Sequence, residues 1–74
     1  MTIFLLDLSK KQINAIGSIP ECLNLLMLDL SNNSLTSITG IETLVNLKHL
    51  NLAFNKLSSV DSLKGCILLE KVEL

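Results

Sequence analysis

The segment Leu25–Leu35 reads LLMLDLSNNSL, and its spacing decides the fold. Apolar residues fall at Leu25, Leu28, Leu30 and Leu35, with Asn33 two places before the last. That is neither the 3.6-residue period of a helix nor the simple alternation of a strand. The same spacing returns 22 residues later in LKHLNLAFNKL, as Leu47, Leu50, Leu52, Asn55 and Leu57. Self-similarity at a fixed period of about 20–29 residues marks a solenoid, in which each coil of chain lies on the one before.

Aligned on this period, the repeats span 3–24, 25–46 and 47–68, with a partial repeat at 69–74. An apolar template occupies places 1, 4, 6, 11, 14, 17 and 20 of each. The first repeat fills it with Ile3, Leu6, Leu8, Ile13, Ile16, Ile19 and Cys22, and the second with Leu25, Leu28, Leu30, Leu35, Ile38, Ile41 and Leu44. The third supplies Leu47, Leu50, Leu52, Leu57, Val60, Leu63 and Cys66. Every template place is apolar and most of the others are polar, so the template reads as the core. The 74 residues are expected to form a single array, truncated or uncapped. Such an array, alone, should be marginal or self-associating, because an end repeat loses half its neighbours.

Places 3 to 6 alternate apolar and polar, as a short half-buried strand does, for example over Met27–Leu30. Stacked repeats then set these strands side by side in parallel, about 4.8 Å apart. Two helix-start signals lie on the return path: Ser18 with Glu21, and Thr39 with Glu42. The repeat has room for only one turn of 3-10 or α-helix there. Asn33 and Asn55, both at place 9, stand where the chain leaves the strand. A side-chain amide both donates and accepts, so they are expected to form a structural ladder that satisfies buried backbone groups. Lys11 holds this place in the first repeat, where a looser or wetter corner is expected because its cation is costly to bury.

The segments LDLSNNSLTSI (Leu28–Ile38) and LNLAFNKLSSV (Leu50–Val60) resemble the leucine-rich repeat family. The 22-residue period resembles the short-repeat class of protein phosphatase 1 regulatory subunits and axonemal dynein light chains. The resemblance implies an α/β solenoid, a right-handed coil with parallel β-strands on the concave face. Short 3-10 or helical turns or loops would form the convex face. It also implies that the concave face holds another protein. The chain departs from the family pattern in having few repeats and no flanking caps.

Six basic and seven acidic residues give a net charge of −1, without the positive field that phosphate-backbone binding needs. Phe4 and Phe54 are the whole aromatic complement, too few for a base-stacking platform. Nucleic acid is therefore not an expected partner. The opening MTIFLLDLSKK has no basic region and only a short apolar run, so no membrane association is expected. The cytoplasm is the expected location, with nucleus or cilium left open.

Places 2, 3, 5, 7 and 8 are expected on the concave face. Place 5 forms the column Asp7, Asp29, Asn51 and Glu73, which either attracts a basic partner or is simply solvated. Places 2 and 3 run from Phe4 and Leu5, through Leu26 and Met27, to Lys48 and His49, then Glu70 and Lys71. An apolar patch that gives way to charge marks a protein contact, unless further chain covers it. Phe54, at place 8, is a candidate for the rim. His49 has no second ligand or catalytic partner at useful spacing and reads as an ordinary exposed histidine. Cys22 and Cys66 share place 20 two repeats apart, beyond disulfide reach, and read as small core residues. No triad, phosphate loop or cofactor motif is present, so the expectation is a non-enzymatic protein-interaction module with no cofactor. The alternative is a structural segment of a larger repeat protein that stacks on further repeats or self-associates.

Overall fold

A computed structural model describes residues 4–18 and 24–74. The alternating segments form four three-residue strands: β1 (Leu5–Asp7), β2 (Met27–Asp29), β3 (His49–Asn51) and β4 (Lys71–Glu73). They make one parallel sheet in the order β1-β2-β3-β4. Its register matches the sequence period, since Leu6 pairs with Leu28, Leu28 with Leu50, and Leu50 with Val72. Consecutive parallel neighbours need a crossover, and among the described residues each crossover contains one short 3-10 turn: η1 (Ile16–Ser18), η2 (Ile41–Thr43) or η3 (Asp61–Gly65).

The leucine template packs between the strands and the turns. Leu25, Leu28, Leu30, Leu35, Ile38, Ile41 and Leu44 of the second repeat are all buried, joined by Leu47, Leu50, Leu52 and Cys66 of the third. The template is not uniformly buried, however. Leu6, Leu8, Ile13, Leu57, Leu63 and Leu69 are only partly covered, and Val60 is 37% exposed. A residue of a solenoid is covered from both sides only where repeats flank it, so burial is deepest in the middle of the array. Ile3, Ile19 and Cys22 lie outside the described residues.

Asn33 is a hub of the corner that follows β2. Its Oδ1 accepts the N–H groups of Lys11 and Ile13, both at 3.0 Å. Its Nδ2 lies 2.9 Å from the carbonyls of both Leu8 and Leu30 and 3.1 Å from that of Ser31. Asn55 repeats the pattern one coil later: Oδ1 accepts from Leu35 N–H, while Nδ2 reaches the carbonyls of Leu30, Leu52 and Ala53. Leu30 O is thus shared by both amides, which links neighbouring coils. The Lys11 side chain is exposed and contributes only its backbone N–H, so Asn33 closes the first corner from the next coil.

Place 8 carries a backbone requirement that the side chains conceal. Lys10, Asn32 and Phe54 all have φ near +55 to +60° (55, 56 and 59°), and Gln12 in the first corner has 60°. Asparagine tolerates this left-handed conformation, whereas phenylalanine and lysine adopt it at a cost.

The helix-start signal at Thr39 needs correction. η2 begins at Ile41 behind Gly40, whose φ of 107° suits glycine, and no side chain caps it from the Gly40 position. Glu42 Oε2 accepts the N–H of Gly40, one residue later than a Thr39 capping box requires. Thr39 Oγ1 pairs instead with Ser37 Oγ. Ser18 is the last residue of η1, and the signal that it forms with Glu21 lies outside the described residues. A one-turn 3-10 segment leaves little for a capping box to stabilise, so local side-chain pairs decide its start.

Candidate binding face

The middle residue of each strand, Leu6, Leu28, Leu50 or Val72, turns towards the core, so its two neighbours turn outward. The in-register ladder arranges these neighbours as two columns. One is Leu5, Met27, His49 and Lys71, and the other is Asp7, Asp29, Asn51 and Glu73. They line a shallow hollow of about 280 Å³ on the outer face of the sheet. Leu5 is 63% exposed and Met27 44% exposed, and the two are neighbours on paired strands. His49 is half-buried beside them.

The columns change character along the sheet. At the β4 end the ammonium of Lys71 stands 3.5 Å from a Glu73 carboxylate oxygen, so the two charges offset each other in solvent. At the β1–β2 end Asp7 and Asp29 share the face with the exposed Leu5 and Met27, and among the described residues neither aspartate forms a salt bridge.

The carboxylates also do structural work. Asp7 Oδ1 accepts the backbone N–H of Ser9 at 2.9 Å and its hydroxyl at 2.7 Å. Asp29 Oδ1 does the same with Ser31, at 2.9 and 2.6 Å, and Asn51 Oδ1 accepts the N–H of Ala53 at 3.0 Å. Each is an Asx turn that fixes the chain as it leaves the strand. The Ser9 hydroxyl, and then the Ser9 N–H, hold the Asp7 carboxyl below its ordinary value. Slight burial opposes them, and Lys11 and Lys10 add to the lowering. The signal for these turns was in the sequence: Asp-Leu-Ser at 7–9 and 29–31, and Asn-Leu-Ala at 51–53. Reading place 5 as either solvated or partner-facing overlooked it. The turns occupy one oxygen of each aspartate, and Oδ2 of each has no hydrogen-bond partner among the described residues.

Four of the expected face residues are not among those that line this hollow. Phe4, Leu26 and Lys48 precede the strands and flank the hollow rather than line it. Their carbonyls bind the next coil, Phe4 O accepting from Leu26 and Met27, and Leu26 O from Lys48 and His49. Leu26 is half-buried, because a residue just ahead of the strand does not share the pleat that turns its neighbour outward. Phe54 is 79% exposed at the far end of the array, where it lines a second hollow with Leu52, Asn55, Leu57, Val60 and Leu74. Cys66 is a buried free thiol whose Sγ donates to Ile41 O at 3.3 Å; burial, and then Glu42, push it up from its ordinary pKa.

The family model described as "Leucine Rich repeats (2 copies)" matches residues 23–65, more than half of the chain. The chain belongs to the leucine-rich repeat family. The match covers β2, β3 and the two turns that follow them, the part of this leucine-rich repeat protein in which the template is most deeply buried. Repeats of this family generally mediate protein–protein interaction and are typically non-enzymatic. No curated protein and no solved structure matches the chain. Among the described residues no group of three or more His, Cys, Asp or Glu is placed to hold a metal ion, and no helix is long and apolar enough to cross a membrane.

Proposed function

We propose that this leucine-rich repeat protein is a non-enzymatic binding module that holds a partner protein on the outer, concave face of its sheet. The observation that carries this reading is the pair Leu5 and Met27, exposed side by side on adjacent strands next to a hollow. A sheet whose other face is packed holds such side chains in place, so little ordering entropy is lost when a partner covers them. The proposal includes a right-handed coil, the hand that parallel crossovers almost always adopt, and the short-repeat class that the 22-residue period resembles. It also includes a cytoplasmic location and a partner that is neither nucleic acid nor membrane, in keeping with the near-neutral charge.

The test is capture of the partner by the chain carrying both Leu5→Glu and Met27→Glu. Both side chains are exposed, so circular dichroism should be unchanged while capture is lost. Retained capture would overturn the reading.

A second reading is supported by the apolar hollow at the far end. Leu52, Phe54, Leu57, Val60 and Leu74 form a surface suited to a further repeat or to a second copy of the chain. Size-exclusion chromatography with light scattering tests it, since self-association through this surface should be abolished by Phe54→Lys.

A further inference from the structure

The chemistry of the sheet face specifies the kind of segment it would hold, an inference that rests on the reading of that face as the binding surface. Its apolar and acidic residues are not scattered. Leu5 and Met27 are ladder partners, as are Asp7 and Asp29, so the β1–β2 end presents an apolar pair beside a carboxylate pair. Each carboxylate keeps one oxygen without a hydrogen-bond partner among the described residues, while the Asx turn holds the other. The position of the charge is therefore fixed before anything binds. Lys10 and Lys11 lie on the corner beyond Ser9 and help to lower the Asp7 pKa, but among the described residues neither forms a salt bridge with it. Beyond β2 the character reverses, with half-buried His49 and with Lys71 offsetting Glu73. A ligand's basic groups would thus be favoured at one end of the face only.

The geometry also selects the ligand's backbone. Parallel strands repeat at about 4.8 Å. An extended segment laid across them repeats its same-side residues at about 6.6–6.8 Å and drifts out of register within two strands. An α-helix advances about 5.4 Å per turn and brings one residue per turn to each strand. Three-residue strands make the face about 10 Å wide, which matches a helix about 10–12 Å in diameter.

We propose that the sheet face takes a short amphipathic helix lying across the strands. Apolar side chains one turn apart seat on Leu5 and Met27, and Arg or Lys side chains on the adjoining flank lie over Asp7 and Asp29. The occupant is a basic, apolar-faced helical segment of a partner protein.

The test uses the intact chain and two fluorescein-labelled helical peptides about three turns long. One carries leucines a turn apart flanked by arginines, and its twin has glutamate at every arginine. Anisotropy titration should show the arginine peptide binding at least about tenfold more tightly, with the difference shrinking as salt rises. Asp7→Asn combined with Asp29→Asn should erase the preference. Asn51 makes the same turn with an amide oxygen, so these variants keep the local backbone. Equal binding of the twins, binding of neither, or a preference that survives both substitutions would overturn the proposal. If capture of a protein partner is nevertheless lost in the Leu5→Glu, Met27→Glu chain, the face remains the binding surface and only the basic helix falls. If capture survives those substitutions, the underlying reading falls with it.

Discussion

At the scale of single residues, Asn33 and Asn55 occupy the same place in the repeat and do unequal work. Asn33 is 9% exposed and its Oδ1 accepts two backbone N–H groups, whereas half-buried Asn55 accepts one. Removing a side chain that satisfies buried groups costs the desolvation of each partner left behind, about 1–3 kcal/mol. Asn33→Ala should therefore destabilise the chain by about 2–4 kcal/mol, and Asn55→Ala by about half as much, read as shifts in urea midpoint at constant slope. The place-9 amides were legible from sequence because the corner geometry demands a side chain that donates and accepts. The Asx turns carry a signal in Asp-Leu-Ser that is easily passed over, because an acidic residue on an outward strand position has a simpler explanation in solvation. Their signature is electrostatic. Since hydrogen bonds from Ser9 lower the Asp7 pKa in the folded state, they contribute stability that is present above the unfolded aspartate value near 3.8 and lost as pH falls through the lower folded one. In an NMR titration, Ser9→Ala should bring Asp7 back up towards its ordinary value, and acid unfolding should begin at higher pH.

At the scale of elements, the strands recur at a fixed place in the repeat and the 3-10 turns do not. Backbone ladders tie β1 to β4 in strict register, so a 22-residue period in sequence becomes a 22-residue period in structure. No comparable ladder holds the turns: η1 begins at place 14, η2 at place 17 and η3 at place 15. Period alone could not locate them. The packing of η3 on η2 includes a close approach that no pattern of apolar residues announces. Gly65, at the end of η3, lies so close to η2 that an added Cβ would meet Glu42 Cβ at 2.4 Å and Glu42 Cα at 3.0 Å. The Glu42 Cα belongs to the backbone and cannot swing aside as a side-chain end would. Gly65→Ala should cost about 1–3 kcal/mol, the range for overpacking. Gly17, in η1, has nothing within 4 Å of such a Cβ, so Gly17→Ala serves as the control and should leave the thermal midpoint within a few degrees.

At the scale of the whole molecule, stability should be distributed along the coil axis rather than around a single centre. Place 6 gives a built-in comparison, because leucine fills it four times in four surroundings. Leu30 and Leu52 are 0% and 1% exposed, Leu8 is partly covered, and Leu74 is 71% exposed. One residue type at one position of the motif thus meets different numbers of flanking coils. If each coil is stabilised by its neighbours, the cost of truncation to alanine follows that coverage. Leu30→Ala and Leu52→Ala should each cost about 2–5 kcal/mol, Leu8→Ala distinctly less, and Leu74→Ala close to nothing. Hydrogen exchange should give the same order without mutation. The Leu30 N–H, bonded to Asn51 O at 2.8 Å in the middle of the sheet, should be far better protected than the Leu8 N–H, bonded to Asp29 O at the same 2.8 Å. Equal hydrogen-bond lengths leave coverage by neighbouring coils as the variable, and equal protection at the two amides would mean that the chain opens as one cooperative unit.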